Sequence, residues 1–100
     1  MNAITGQTIV ENFLSLDADN NPVTATTFDV VVTKDGGVFS GTSVSINLED
    51  DIRGIFSASW SADTAGAYQI YIKNNVTNVI FITDSIDVAS DSGQNIYIGL

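Results

Sequence analysis

The side chains that could do chemistry in this sequence carry oxygen, because histidine and cysteine are both absent. Their absence removes the usual general base, the thiolate nucleophile and most zinc ligands. A serine nucleophile would need a base that these residue types do not supply. Paired carboxylates can hydrolyse glycosides, but Asp50 and Asp51 occur in an apparent turn with no aromatic residue beside them to stack on a sugar. The sequence therefore predicts a protein that is not an enzyme.

One acidic stretch begins with the spacing of a calcium loop. In "DADNN", Asp17, Asp19 and Asn21 occupy alternate positions, as the first ligands of such a loop do. Pro22 then follows, and Phe28 stands where the closing glutamate would be. Asp and Asn are also the residues that solvated turns require, so a turn is the favoured interpretation and these three residues are only weak calcium candidates. We expect no cofactor and no bound metal.

Composition limits both the size of the protein and its partners. The chain has 100 residues, enough for one domain spanning 1–100, and 12 acidic against three basic residues give a net charge of −9. This charge would repel the phosphates of nucleic acid and the surface of an anionic membrane, and it favours solubility. No apolar run approaches the length of a membrane helix, and the first residues lack the pattern of a secretory signal. The sequence thus predicts a soluble chain made in a cytoplasm.

Apolar residues recur at every second position, which predicts an all-β chain. The alternation is clearest in two stretches: Phe56, Ala58 and Trp60 alternate with serines, and Tyr68, Ile70 and Ile72 follow after "ADTAG". The run "VIFIT" at 79–83 is apolar throughout, which predicts burial on both faces or contact with a neighbour. The other inward positions are Val10, Leu14, Leu16, Phe28, Val30, Val32, Val44, Ile46, Leu48, Ile86, Val88, Ile96, Ile98 and Leu100. Seven to eight short strands with frequent turn signals indicate an antiparallel β-sandwich.

The stretch "TAGAY" suits a particular corner of immunoglobulin-like sandwiches. In those domains a tyrosine placed after a corner of small residues bonds back to the backbone a few residues upstream. Here Gly66 would supply the bend and Tyr68 the hydroxyl. We therefore assign both residues a structural role.

The surrounding pattern resembles a known family of domains. The run G-x-F-x-A-x-W, followed by A-G-x-Y-x-I-x-I, is similar to the paired strands of filamin-type and bacterial immunoglobulin-like domains. Unlike antibody domains, this chain has no cysteine pair, and its tryptophan precedes the corner strand. The matching residues are Gly54, Phe56, Trp60, Gly66, Tyr68, Ile70 and Ile72. The resemblance implies an immunoglobulin-like fold.

As a short, acidic, cysteine-free chain rich in Ser, Thr and Asn, with an immunoglobulin-like strand pattern, it resembles virion proteins of tailed bacteriophages, in particular capsid decoration (cement) proteins. That resemblance implies a structural protein of the virion, assembled in the host cytoplasm. Its partner would be the major capsid protein or another virion protein, with self-association on the capsid as a further option. Tyr71 and Tyr97 are predicted to face outward and would contribute to a contact surface, unless each forms a cross-strand pair on a solvated face.

Two other functions fit the same sequence. A tail or fibre module would bind carbohydrate on the host surface, stacking aromatic side chains on sugar rings, although the strand pattern places Trp60 in the core. A cellular or designed immunoglobulin-like interaction domain would have the same composition.

Overall fold

The computed structural model describes residues 2–90, which form nine β-strands in two packed sheets. The strands are β1 (Asn2–Ile4), β2 (Ile9–Leu14), β3 (Phe28–Lys34), β4 (Gly37–Val38), β5 (Ser45–Asp50), β6 (Ile55–Trp60), β7 (Gly66–Asn74), β8 (Ile80–Ile82) and β9 (Ile86–Ala89). The all-β sandwich expected from the sequence is thereby confirmed. Nine strands exceed the predicted seven to eight because β1 and β4, of three and two residues, are too short to show alternation. The described residues contain no helix long and apolar enough to cross a membrane.

The two sheets of the sandwich differ in size and in strand order. The larger sheet has the order β1-β9-β7-β3-β4, with β8 also paired to β7, and the smaller sheet has the order β2-β6-β5. All pairs are antiparallel except β1 with β9, which is parallel. The predicted antiparallel arrangement therefore holds except at that edge.

The core lies between β6 of the smaller sheet and β7 of the larger. The smaller sheet contributes the buried side chains of Phe56, Ala58 and Trp60. The larger sheet contributes those of Tyr68, Ile70 and Ile72, as the alternation predicts. Each large side chain buried in this way stabilises the fold by about 1.5–3 kcal/mol. The remaining buried apolar residues are Ala3, Ile9, Phe13, Val32, Ala62, Ile86 and Val88.

The predicted inward face of β2 was wrong. Val10 and Leu14 are exposed, whereas Ile9 and Phe13 are buried. Pairing with β6 sets Phe13 opposite Phe56, and Phe13 also packs within 5.3–5.4 Å, between ring centroids, of Phe28 and Phe81. Because neighbouring strand positions face opposite sides, burying Phe13 in this aromatic cluster turns Val10 and Leu14 outward.

The burial of residues in β5 and its neighbour β6 also differs from the simple alternation of inward and outward positions. Val44 and Ile46 are half-buried, as expected for inward positions, but Leu48 is exposed. The register between β5 and β6 shifts between Leu48 and Asp50, so the strand loses its alternation there. Ser57, which alternates with the inward residues of β6, is buried as well, and its hydroxyl donates to Glu49 Oε2 at 2.8 Å.

Candidate functional site

The three calcium candidates form a hydrogen-bonded turn. The Asp17 carboxylate accepts the backbone N–H groups of Asp19 and Asn21, each at 2.9 Å. The bond from the Asn21 N–H is the main reason that the pKa of Asp17 lies below its ordinary value. Among residues 2–90, no three His, Cys, Asp or Glu side chains are grouped so that they could hold a metal ion. In this geometry the carboxylate of Asp17 stabilises the turn.

The acidic stretch from Glu49 to Asp51 spans the end of β5 and the start of the turn that follows it. Asp50 Oδ1 accepts the backbone N–H groups of Ile52 and Arg53, each at 3.0 Å. Arg53 Nε also lies 3.6 Å from Asp50 Oδ2. Glu49 accepts the hydroxyl of Ser57, as described above. Two of these three carboxylates therefore stabilise local structure.

Tyr68 makes the bond that defines a tyrosine corner. Its ring is fully buried, and its hydroxyl donates to the backbone carbonyl of Thr64 at 2.8 Å. Lys34 Nζ donates to the Thr64 hydroxyl at 2.9 Å from the neighbouring strand β3. Gly66 begins β7 with a φ of 158°, a backbone angle that other residues rarely adopt. These contacts hold the crossing from the smaller sheet to the larger one.

The outer face of the larger sheet carries a continuous set of apolar side chains, which we call the outer row: Val31, Tyr71, Ile80 and Ile82. Tyr71 lies directly between Val31 on β3 and Ile82 on β8. Val31, Ile80 and Ile82 are 44%, 54% and 50% exposed, and Tyr71 is half-buried between its neighbours. Tyr71 is thus both a cross-strand partner and part of an exposed apolar surface. Tyr97 lies outside the described residues.

Polar residues border the outer row on both sides. Asp29 and Lys73 face each other directly on one side, and Thr33 and Gln69 do so on the other. An apolar centre with a polar border is the usual anatomy of a protein–protein interface. The arrangement is therefore suited to binding a partner surface.

A second apolar surface lies between the sheets, where the edges of β2 and β8 face each other. We call it the open groove, and its lining includes Phe13, Leu14, Leu16, Val79 and Phe81. Its volume is about 30 Å³, room for roughly one or two water molecules. A shallower depression of about 260 Å³, lined by Leu16, Val76 and Val79 among others, continues it along the surface. Because alternation predicts an inward Leu14, the sequence alone does not indicate this groove.

Comparison of the chain with protein-family models, curated proteins and solved structures found no match. The features of the chain that bear on function are therefore the outer row, the open groove and the strand pattern from Gly54 to Ile72. Of these, the outer row combines exposed apolar side chains with a polar border, and it contains Tyr71, the described residue predicted to form a contact surface.

Proposed function

We propose that this chain is a non-enzymatic structural protein of a virus particle, a capsid decoration protein that docks across neighbouring capsid subunits. The observation that supports docking most directly is the outer row. Three of its four side chains are exposed aliphatic residues on a regular sheet, and grouped apolar side chains on a soluble protein often mark a binding surface.

The mechanism is the burial of the outer row against the capsid. Tyr71 would be the central anchor, since tyrosine is enriched among the residues that dominate binding energy. Asp29 and Lys73 would lie at the border, where charged pairs guide orientation more than they add affinity. A stable contact needs roughly 1,000 Å² or more of buried surface, so the row would be the centre of a larger patch. Repeated at every site, such binding stabilises the shell by mass action.

The proposal of a viral setting is based on the resemblance of the chain to virion proteins of tailed bacteriophages and on its composition. The absence of histidine and cysteine and the net charge of −9 favour a structural role over catalysis or nucleic-acid binding. The proposed location is the virion, assembled in the host cytoplasm, and the proposed partner is the major capsid protein or another virion protein.

The test is to mix the purified protein with empty heads, and separately with tails, assembled from the proteins encoded beside its gene, and to image both by electron cryomicroscopy. Ordered additional density on the head lattice, with the larger sheet facing the shell, is the expected result. Val31→Lys should weaken head binding at least about tenfold. Ser45→Lys, at an exposed position on the smaller sheet, adds the same charge and should leave binding unchanged.

Absence of density on heads at saturating concentration would exclude a decoration role. Density on tails alone would favour the tail or fibre module. Equal binding of the two lysine variants would show that another surface makes the contact. Genes for head or tail proteins near this one would support a viral setting, and cellular neighbours would favour the cellular interaction domain.

For the carbohydrate-binding alternative, the burial of Trp60 is the relevant observation. Its side chain is 3% exposed and packs 5.4 Å, between ring centroids, from Tyr68, so it offers no surface for stacking on a sugar. As the single tryptophan of the chain, it should give blue-shifted fluorescence that added sugars do not change. A red-shifted emission that responds to sugars would favour carbohydrate recognition.

A further inference from the structure

The connection between β3 and β4 is a two-residue turn made of Asp35 and Gly36. Lys34 and Gly37 pair directly on either side of it. Asp35 and Gly36 have φ angles of 53° and 87°, and positive values at both positions are typical of the type I′ turn, which favours Asp-Gly. The geometry of the turn therefore explains why these two residues occur there.

The dipeptide that suits this turn is also the one in which an aspartate reacts most readily with its own backbone. The backbone nitrogen of the next residue can attack Cγ of the aspartate and close a five-membered ring, and glycine has no side chain to hinder that approach. Asp35-Gly36 is the one place in the sequence where an aspartate or asparagine precedes glycine. The chain therefore has a single site of this kind.

The fold leaves the attacking nitrogen accessible. Within residues 2–90, the N–H of Gly36 donates no hydrogen bond. A Cβ added at Gly36 would meet no atom within 4 Å, so the space around this residue is open. Asp35 and Gly36 are both exposed, and water therefore reaches the turn.

The carboxyl group of Asp35 is held beside a donor that can stabilise the reaction. Its Oδ1 accepts the backbone N–H of Ala67 at 2.9 Å. When a nucleophile adds to Cγ, one carboxyl oxygen becomes an oxyanion, and a backbone N–H already directed at that oxygen stabilises the charge as in an oxyanion hole. Ala67 is therefore positioned to support closure of the ring as well as to anchor the turn.

We propose that Asp35 is a site of spontaneous modification, at which the folded protein slowly converts aspartate to isoaspartate through a cyclic imide. In the first step the Gly36 nitrogen bonds to Cγ of the protonated Asp35 carboxyl, and the N–H proton leaves with the carboxyl O–H group as water. In the second step a solvent water adds to one imide carbonyl and breaks the bond from that carbon to nitrogen. Cleavage at Cγ restores aspartate, whereas cleavage at the backbone carbonyl carbon of Asp35 leaves isoaspartate, with the chain running through Cβ and Cγ.

Isoaspartate would change how the β3–β4 hairpin is attached to β7. It adds one carbon atom to the main chain of a two-residue turn and places the free carboxylate on a different carbon. The N–H of Asp35 donates to the Ala67 carbonyl at 2.8 Å, and Asp35 Oδ1 accepts from the Ala67 N–H, so both bonds depend on the geometry of residue 35. Because β4 pairs with β3 alone, loss of these bonds should loosen β4.

The hairpin borders an apolar depression at the same edge of the larger sheet. Phe39, which follows β4, donates its N–H to the Val32 carbonyl at 2.9 Å and packs 5.9 Å, between ring centroids, from Tyr68. Val32 is only 6% exposed, so movement of β4 would uncover part of the core and the edge of β3. Modification would then act as a slow covalent switch that opens an apolar edge. The depression has a volume of about 330 Å³, and its lining includes Val30, Val32, Val38, Phe39 and Val44.

The test is to incubate the folded protein near neutral pH and to follow Asp35 by peptide mapping with mass spectrometry. We expect a second peptide of identical mass that contains residue 35, accompanied by a minor species lighter by one water. Asp19 is the internal control, because it is also exposed in a turn but precedes Asn20, and it should react at least several-fold more slowly. Asp35→Glu should form almost no isomer, since its ring would have six members and close more slowly.

Two further measurements decide whether the fold permits the reaction and whether the reaction loosens the hairpin. The folded chain should form isoaspartate at least as fast as the chain unfolded in urea. In the purified isomer, the N–H groups of Phe39 and Ala67 should exchange with solvent faster than in the unmodified protein, while that of Ile70, in the core, should not.

Three outcomes would overturn the proposal. Isoaspartate found only in the unfolded chain would show that the turn protects Asp35. Equal rates at Asp19 and Asp35 would show that the Asp-Gly turn has no special reactivity. Unchanged exchange at Phe39 and Ala67 in the isomer would show that the hairpin keeps its attachment to β7.

Discussion

The side-chain amide of Asn74 donates a hydrogen bond to the hydroxyl of Ser15 at 2.8 Å, and this bond joins the two sheets at the base of the open groove. Ser15 in turn donates to the backbone carbonyl of Val23. The side-chain oxygen Oδ1 of Asn74 accepts from the Thr26 hydroxyl at 2.8 Å and from the Val76 N–H at 2.9 Å. Both side chains are buried, so the groove has a polar base whose groups are already satisfied, while its sides are apolar.

Replacement of Asn74 should destabilise the sandwich strongly. Asn74→Ala removes a donor and an acceptor together and leaves several partners without a hydrogen bond, which should lower the free energy of unfolding by about 2–4 kcal/mol. Urea denaturation followed by Trp60 fluorescence measures this change. Asn75→Ala is the control, because Asn75 is exposed and its loss should cost less than about 1 kcal/mol. Equal effects would show that the bond between the sheets contributes little.

The hydroxyl of Tyr68 should contribute measurably by itself. Tyr68→Phe keeps the buried ring and removes the bond to the Thr64 carbonyl, so we expect a loss of about 1–1.5 kcal/mol. Tyr71→Phe removes the same atom from a half-buried ring on the outer face, and its effect should stay within about 0.5 kcal/mol. Thermal unfolding of the two variants in parallel provides the measurement. A cost for Tyr71→Phe as large as that for Tyr68→Phe would contradict a special role for the corner.

Gly54 should tolerate no side chain. Its φ of 70° belongs to the left-handed region, and an added Cβ would lie 2.5 Å from the backbone oxygen of Ser15. Backbone strain and overlap together predict that Gly54→Ala loses about 3 kcal/mol or more. For Gly37 the nearest atom, the Lys34 carbonyl oxygen, is 3.9 Å from the added Cβ, so Gly37→Ala should leave the midpoint of chemical denaturation nearly unchanged. A small effect of Gly54→Ala would mean that the backbone beside Ser15 moves easily.

The sequence was sufficient to predict the inward faces of β6 and β7, because each strand has one apolar and one more polar series. It failed for β2, where both series contain large apolar residues: Ile9 and Phe13 in one, Val10 and Leu14 in the other. Local alternation therefore does not indicate which of the two series faces the core. The choice depends on distant partners, since Phe13 packs against Phe81, 68 positions later in the chain.

The candidate surfaces could not be predicted from the sequence alone either, because they also depend on contacts between distant residues. Alternation placed Tyr71 on an outer face, but only the pairing of β7 with β3 and β8 shows that Val31 and Ile82 lie beside it. The bond from Asn74 to Ser15 spans 59 positions, and serine and asparagine are common in turns throughout this chain. Neither residue therefore carried a sequence signal that marked it as a link between the sheets.

The turn at Asp17 should make stability depend on pH in the acidic range. The pKa of Asp17 is lowered from 3.8, first by the N–H of Asn21, so the ionised carboxylate favours the folded state above its unfolded-state pKa. This contribution is lost as the pH falls through the lower folded-state pKa. Asp17→Asn keeps an oxygen that can accept both N–H groups but has no charge, so it should be less stable than the unaltered protein at neutral pH. The difference in thermal midpoint should disappear at pH values well below 3.8, and a difference that stays constant across this range would show that the charge of Asp17 does not stabilise the turn.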